Sequence, residues 1–291
     1  MSGFGQVIVS GISTGCLYAI LLLGVLLVYQ VSKSVNFSYG QIAMVAGLGS
    51  WYLYSTVRVP IWLALLLGVA VAVAINSAID RFAIRLIPEG RSGLDLVVTL
   101  GLFLVLAAGM QQIVDPNSHT FVALGADTFK RFGGVIISVN DGIIVGIAIV
   151  TVTVTKLLLV RTSLGTSLRA CAEDAGIAAS AGINVRRLRT GTWAVAGLLA
   201  AFVGYLVGSR LSVDTTYMTP ILVKVFIAGM IGGLNRFGPP LVVAVLLGVY
   251  ESLAVFLLGA NAGTPAVFLL IIVALAVMPR RLVDERSEVR A

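Results

Sequence analysis

The sequence predicts an all-α, polytopic transmembrane helical bundle. Three observations carry this. The 291 residues are 58% hydrophobic and only 11% charged, whereas a soluble domain carries about 25% charged residues. The mean hydropathy is +1.04, a surface that water cannot solvate and lipid can. The apolar runs are continuous and near the length a helix needs to cross a bilayer, not the short alternating segments of a β-barrel.

Taken in order, the apolar runs fall at about 8–30, 38–57, 61–79, 94–114, 142–160, 190–208, 221–234, 239–258 and 264–279, which gives about eight or nine spans. Run 221–234 is too short to cross comfortably. Run 38–57 opens on polar Asn36, Ser38 and Gln41 and carries three glycines. Either run suits a re-entrant or broken helix, which a membrane tolerates only where protein or a cavity covers the backbone. The chain reads as one membrane domain over 1–291, with a cytoplasmic loop at 161–189. The recurrent glycines suit close helix packing.

The net charge is +7. The cations gather in loops and at the C-terminus, so they report orientation rather than nucleic acid. Arg81, Arg85 and Arg91, then Lys156, Arg161, Arg169, Arg186, Arg187 and Arg189, then Arg280, Arg281, Arg286 and Arg290 all face one side, the cytoplasm, in one threading. Segment 115–141 then faces outward with Asp115, Asp127, Asp141 and the sole histidine, His119. The uncharged N-terminus also lies outside, and the first run reads as a retained span rather than a cleaved signal. Cys16 and Cys171 sit in different environments, so no disulfide is expected.

The chemistry of an enzyme is missing. One histidine and two separated cysteines do not match metal-site spacings. No phosphate-binding loop of the Walker type is present, so the chain does not hydrolyse nucleotide itself. No metal and no cofactor is expected. The acid placed firmly inside a span is Glu251, and Lys224 lies near the start of a short span. An isolated intramembrane charge suits ion coupling when it has a relay of companions. Without companions, a structural pair of Lys224 with Glu251 is the better reading.

The ordered motifs carry more. Tyr18-Ala-Ile-Leu-Leu-Leu-Gly24 leads into Val35-Asn36-Phe37-Ser38-Tyr39-Gly40-Gln41. Arg91-Ser92 precedes Val98-Thr99-Leu100-Gly101-Leu102. Leu164-Gly165, Leu168-Arg169-Ala170 and Gly182-Ile183-Asn184-Val185 follow, then Lys224-Val-Phe226, Gly232-Gly233-Leu234 and Gly248-Val-Tyr-Glu251-Ser252-Leu253. Each is weak alone; in this order the set resembles the branched-chain amino-acid permease family of ATP-binding-cassette importers over nearly the whole chain. The chain departs from the family where Tyr39-Gly40-Gln41 replaces a His-Gly-Glu-like turn, and where Pro240 adds a second proline.

The resemblance implies a multi-pass subunit of the bacterial cytoplasmic membrane. Its partners would be two cytoplasmic ATPases that bind the ATP, a second related permease subunit, and an extracytoplasmic binding protein docking near 115–141 and 209–220. It also implies that 161–189 is the coupling loop. Within it, Leu168 to Ala181 is rich in alanine, a strong helix former, and Gly182 suits a helix C-cap. Leu168, Ala172, Ala175 and Ala179 are expected on one helix face, with Arg169, Glu173 and Asp174 beside them. Asn36, Ser38, Gly40 and Gln41 are expected to line the substrate path, because polar groups at the mouth of an apolar span need water, a partner or a ligand. The rival reading of that turn is a helix cap. Urea or another small amide, an ion-coupled secondary carrier, and a non-transporting scaffold are the alternative functions.

Overall fold

The computed structural model describes residues 2–87, 93–115, 119, 129–132, 135–210 and 212–277. Eleven α-helices are described: α1 Ser2–Ser32, α2 Tyr39–Ser55, α3 Ile61–Phe82, α4 Leu94–Ile113, α5 Val139–Arg161, α6 Ser163–Glu173, α7 Ala175–Ser180, α8 Val185–Gly208, α9 Thr219–Gly232, α10 Gly238–Leu258 and α11 Gly263–Val277. Each of the nine apolar runs falls on a helix. Arg91, Asp127 and the C-terminal arginines Arg280, Arg281, Arg286 and Arg290 lie outside the described residues.

Six of the described helices are long and apolar enough to cross a bilayer, so the expected eight or nine crossings depend on the shorter ones. Helices α2, α9 and α11 have 17, 14 and 15 residues, at or below the lower limit of about 17 for a span. The fold is all-α, with one short hairpin beside the helices. Strand β1 (Phe129–Phe132) pairs antiparallel with β2 (Val135–Ser138), with Phe129 opposite Ser138. The β-branched run Val135-Ile136-Ile137 favours that state.

Helix α1 is the axis of the bundle. Residues Leu17–Leu23 and Val25–Val28 are all buried. Its glycines let α10 approach backbone to backbone: a side chain added at Gly15 would strike Val245, and one added at Gly248 would strike Gly15. Since Gly11 also meets Val249, the two helices run antiparallel. This is the small-residue packing that replaces hydrophobic attraction inside a bilayer. Helix α2 is likewise central, packed on α3, α8 and α9. Its Tyr39 hydroxyl donates to the Ala196 carbonyl at 2.7 Å, and its Gly47 lies beside Gly204, so α2 and α8 run parallel.

The most apolar windows of α1 and α8 are 83% and 72% buried, against 11% for α4. Leu104 and Val105 on α4 are 65% and 66% exposed. A contiguous apolar surface of this kind needs a non-aqueous solvent, and the outer helices present it to lipid. The helix directions gather the C-terminal ends of α1, α3, α5 and α9 with the N-terminal ends of α8 and α10 at one end of the bundle. Helices α6 and α7 cap that end.

Candidate functional site

Three clusters of polar residues interrupt the apolar bundle, and each lies at a different depth.

The first is the α6–α7 segment. Thr162 caps α6 by accepting from the Gly165 amide at 3.3 Å. The helix stops at Asp174, whose backbone is extended (φ −151°, ψ 114°) and whose Oδ1 accepts from the Ile177 amide at 2.8 Å. Asp174 therefore starts α7, as capping residues do. Gly182 ends it in the left-handed region, φ +85°, where a β-carbon would be strained. Asn184 then caps α8 through the Arg187 amide at 3.0 Å.

This corrects the expected single helix. Leu168 and Ala172 are half-buried on α6, while Ala175 and Ala179 are exposed on α7, so the four do not share one face. Arg169, Glu173, Asp174 and Gly182 are exposed. Cys171 and Ala178 are the buried anchors, and burial pushes the Cys171 thiol up from its ordinary value. The sequence reading missed Ile177, which is 69% exposed in the middle of α7. The signal was present: an isolated isoleucine three residues after a capping aspartate.

A clasp joins α3 to α8, the helix that follows this segment. Asp80, fully buried, accepts from Arg85 at 2.5 Å through Oδ2 and from Arg189 at 2.5 Å through Oδ1. Arg85 also donates to Thr190 Oγ1 at 2.5 Å. The end of α3 is thus held to the first turns of α8. Sequence reading used Arg85 and Arg189 only as orientation charges. Asp80 drew no notice, its partner Arg189 being far away in the sequence.

The second cluster surrounds the turn between α1 and α2. Asn36, Ser38, Gly40 and Gln41 are all buried. Asn36 Oδ1 accepts from the Ser38 amide at 3.0 Å and the Ser38 hydroxyl at 2.6 Å, a local turn before α2, whose N-cap Ser38 makes no side-chain capping bond. Asn36 Nδ2 donates to Asn76 Oδ1 at 3.3 Å, and Asn76 Nδ2 to the Trp193 carbonyl at 2.5 Å. Gln41 Nε2 donates to Thr219 Oγ1 at 3.2 Å, while its Oε1 is buried without a protein partner. A β-carbon on Gly40 would press on Leu222 at 3.0 Å. The turn thus lies closed between α3, α8 and α9 in this conformation. Asn76, in the middle of an apolar run, was missed.

The third cluster is at the opposite end of α8 from α6 and α7. Lys224 Nζ lies 2.5 Å from Glu251 Oε1 and donates to Thr264 Oγ1 at 3.1 Å. The Tyr18 hydroxyl donates to Glu251 Oε2 at 2.6 Å. The expected pair is brought together, with two further partners from α1 and α11. Nearby, Arg210 contacts Asp141 at 2.8 Å and Ser13 at 3.2 Å. Lys224, Glu251, Tyr18 and Arg210 line a cavity of about 640 Å³. Arg210 was missed because it follows directly on the end of an apolar run. Among the described residues no three His, Cys, Asp or Glu side chains cluster to hold a metal.

Known proteins place the fold. Over residues 7–278 the chain matches the family described as branched-chain amino acid transport system / permease component. It is 24% identical to the high-affinity branched-chain amino acid transport system permease protein LivH of Escherichia coli K12, covering 95% of this chain and 94% of that one. It is 25% identical to BraD of Pseudomonas aeruginosa, covering 94% of each. The fructose import permease protein FruF of Bifidobacterium longum is 25% identical over 90% of this chain and 74% of its own. Among solved structures, PsaBC of Streptococcus pneumoniae, in complex with Fab, superposes with a TM-score of 0.51 at 11% identity, covering 92% of this chain and 89% of that one. The match of one family over nearly the whole length, with apolar helices in the expected order, makes this chain a member of the branched-chain amino acid permease component family.

Proposed function

We propose that this chain carries branched-chain amino acids inward across a bacterial cytoplasmic membrane, taking them from an extracytoplasmic binding protein. As a permease component of an ATP-binding-cassette transporter it is not an enzyme; ATP is handled by partner ATPases, and a binding protein completes the system. In the proposed assembly, two ATPases serve this chain and a second related permease subunit. The chain forms one domain over 1–291. Short helices α2, α9 and α11 complete nine passes, with the N-terminus outside.

The observation that carries the reading is the exposed, doubly capped α7. It stands at the end of the bundle that also holds Arg81, Arg85, Arg161, Arg169, Arg186 and Arg187, as a cytoplasmic end should. It offers Ala175, Ile177 and Ala179 to a partner, with Asp174 at its start. Small residues around one large apolar side chain suit insertion into a groove. The Asp80 clasp then gives movement of α7 a stiff route into α3 and α8. At the far end, His119 stacks on Trp51 with ring centroids 3.8 Å apart and pairs with Val213. This joins the two connections proposed to meet the binding protein.

Ile177→Glu tests the coupling role. The exposed site tolerates the charge in the isolated subunit, so membrane insertion and yield should match the parent. In the complex the carboxylate would be desolvated without a partner, at a cost of several kcal/mol. Pull-down of the ATPases should fall to background, and uptake with it. Normal assembly and uptake in both Ile177→Glu and Ala175→Glu would remove α7 from the interface.

The Asn36–Gln41 turn is proposed to border the path and to open during transport. Asn36→Asp does not test this. A carboxylate there keeps the Ser38 contacts but faces Asn76 Oδ1, so it is disruptive in either role. Accessibility is the better measurement. In a chain without Cys16 and Cys171, cysteine at position 36 or 41 should resist water-soluble thiol reagents without nucleotide and react when the ATPases are trapped with it. Protection in every nucleotide state would make the turn permanent packing.

A further inference from the structure

The Lys224–Glu251 pair does not sit between packed helices alone; it forms part of a cavity wall. The cavity's volume of about 640 Å³ falls within the roughly 300–1,000 Å³ typical of small-molecule sites. Leu17, Val207, Ile221, Val255 and Phe256 give it an apolar side. Lys224, Glu251 and the Tyr18 hydroxyl give it a polar one. Lys224 and Tyr18 are 3% and 4% exposed. A buried ion pair is a weak source of stability, since apolar residues of similar volume often serve as well. Ionisable residues within a span mark ligand or ion pathways where they face a cavity, and this pair faces one, which the structural reading of the sequence did not include.

The charge pattern specifies a ligand. Arg210 is already neutralised by Asp141 at 2.8 Å, which leaves one cation and one anion, side by side, next to a hydrocarbon wall. Their complement is a molecule with one carboxylate and one ammonium on the same carbon and an aliphatic tail. A single charge of either sign would leave one member of the pair buried and unmatched.

We infer that this cavity is a transit site that reads the zwitterionic head of an aliphatic α-amino acid, with Lys224 receiving the carboxylate and Glu251 the ammonium. The inference rests on the amino-acid permease reading. When the ligand enters, the Nζ–Oε1 contact opens and each ion exchanges its partner for the opposite end of the ligand. Thr264 supports Lys224 and Tyr18 supports Glu251 throughout. The cavity's net charge is the same loaded and empty, so passage requires no proton and no counter-ion. The empty pair meanwhile joins α9 to α10, and through Tyr18 and Thr264 to α1 and α11.

The test uses the complete transporter in proteoliposomes, with Ser252→Cys as a reporter on the cavity wall and Cys16 and Cys171 replaced by alanine. The rate of labelling by a water-soluble thiol reagent is measured. L-leucine should slow it about tenfold at about ten times its Kd. Isocaproate, which lacks the ammonium, and isopentylamine, which lacks the carboxylate, should not. Glu251→Gln should abolish protection by leucine and confer protection by isocaproate, because Lys224 is then an unpaired cation. Equal protection by all three compounds would make the cavity merely apolar and overturn the inference. So would a reporter that never reacts, or an absence of protection in a complex that transports leucine. A complex that assembles and transports no amino acid would instead overturn the amino-acid reading, and this inference with it.

Discussion

Asp80→Ala is expected to destabilise the subunit by about 3–5 kcal/mol, the range for removing one partner of a buried ion pair. The reason is what remains behind. Asp80 is fully buried and is the shared acceptor for Arg85 and Arg189, whose side chains are 20% and 21% exposed. Arg189 already has one buried nitrogen, Nη2, without a hydrogen-bond partner. Without the carboxylate, two guanidinium groups face each other near the membrane boundary. The end of α3 and the start of α8 should separate, and α7 should lose its stiff connection to the spans. The midpoint of thermal unfolding in detergent should fall. At a temperature where the variant still folds, ATP hydrolysis should continue while uptake drops. Asp80→Ala combined with Arg189→Leu should recover part of the lost stability, because one stranded cation has gone. An unchanged midpoint for the single variant would mean that the clasp contributes nothing.

The clasp also shows what a sequence conceals in a membrane protein. Apolar runs mark helices because lipid imposes a length and excludes charge, and all nine runs fall on helices. Whether a 14-residue helix such as α9 crosses fully is set by how neighbours cover its ends, so the run length of 221–234 left that open. The break at Asp174 was hidden by propensity. Alanine favours continuing the helix on both sides, yet the aspartate side chain competes for the backbone and starts a new one. The partners of polar residues were the least legible. Asp80 and Arg189 are 109 positions apart, and Asn76 sits in a run that otherwise reads as lipid-facing. The Lys224–Glu251 pair was legible because two charges inside apolar runs have few others to meet. The cavity beside it depends on packing and left no trace in the sequence.

Gly248→Val is expected to have an effect as large, by a different route. A β-carbon at Gly248 would overlap the backbone of Gly15, and one at Gly15 would overlap Val245. The obstacle is main chain on both helices, so no side-chain rotation relieves it. Helices α1 and α10 must move apart along the seam that contains the buried run from Leu17 to Val28. Overpacking typically costs about 1–3 kcal/mol and occasionally more; a backbone clash at the axis of the bundle belongs at the upper end. The displacement reaches function as well. Glu251 lies one helical turn beyond Gly248, so its contacts with Lys224 and Tyr18 should lengthen as α10 shifts. Two measurements check this: the monodisperse fraction after extraction, which should fall sharply, and the accessibility of the Ser252→Cys reporter, which should rise without ligand. Gly101→Val is the control, since a β-carbon at Gly101 meets no heavy atom within 4 Å. It should leave both measurements unchanged. If Gly248→Val folds as well as Gly101→Val, the α1–α10 contact is looser than the glycines imply, and the position of the ion pair does not depend on it.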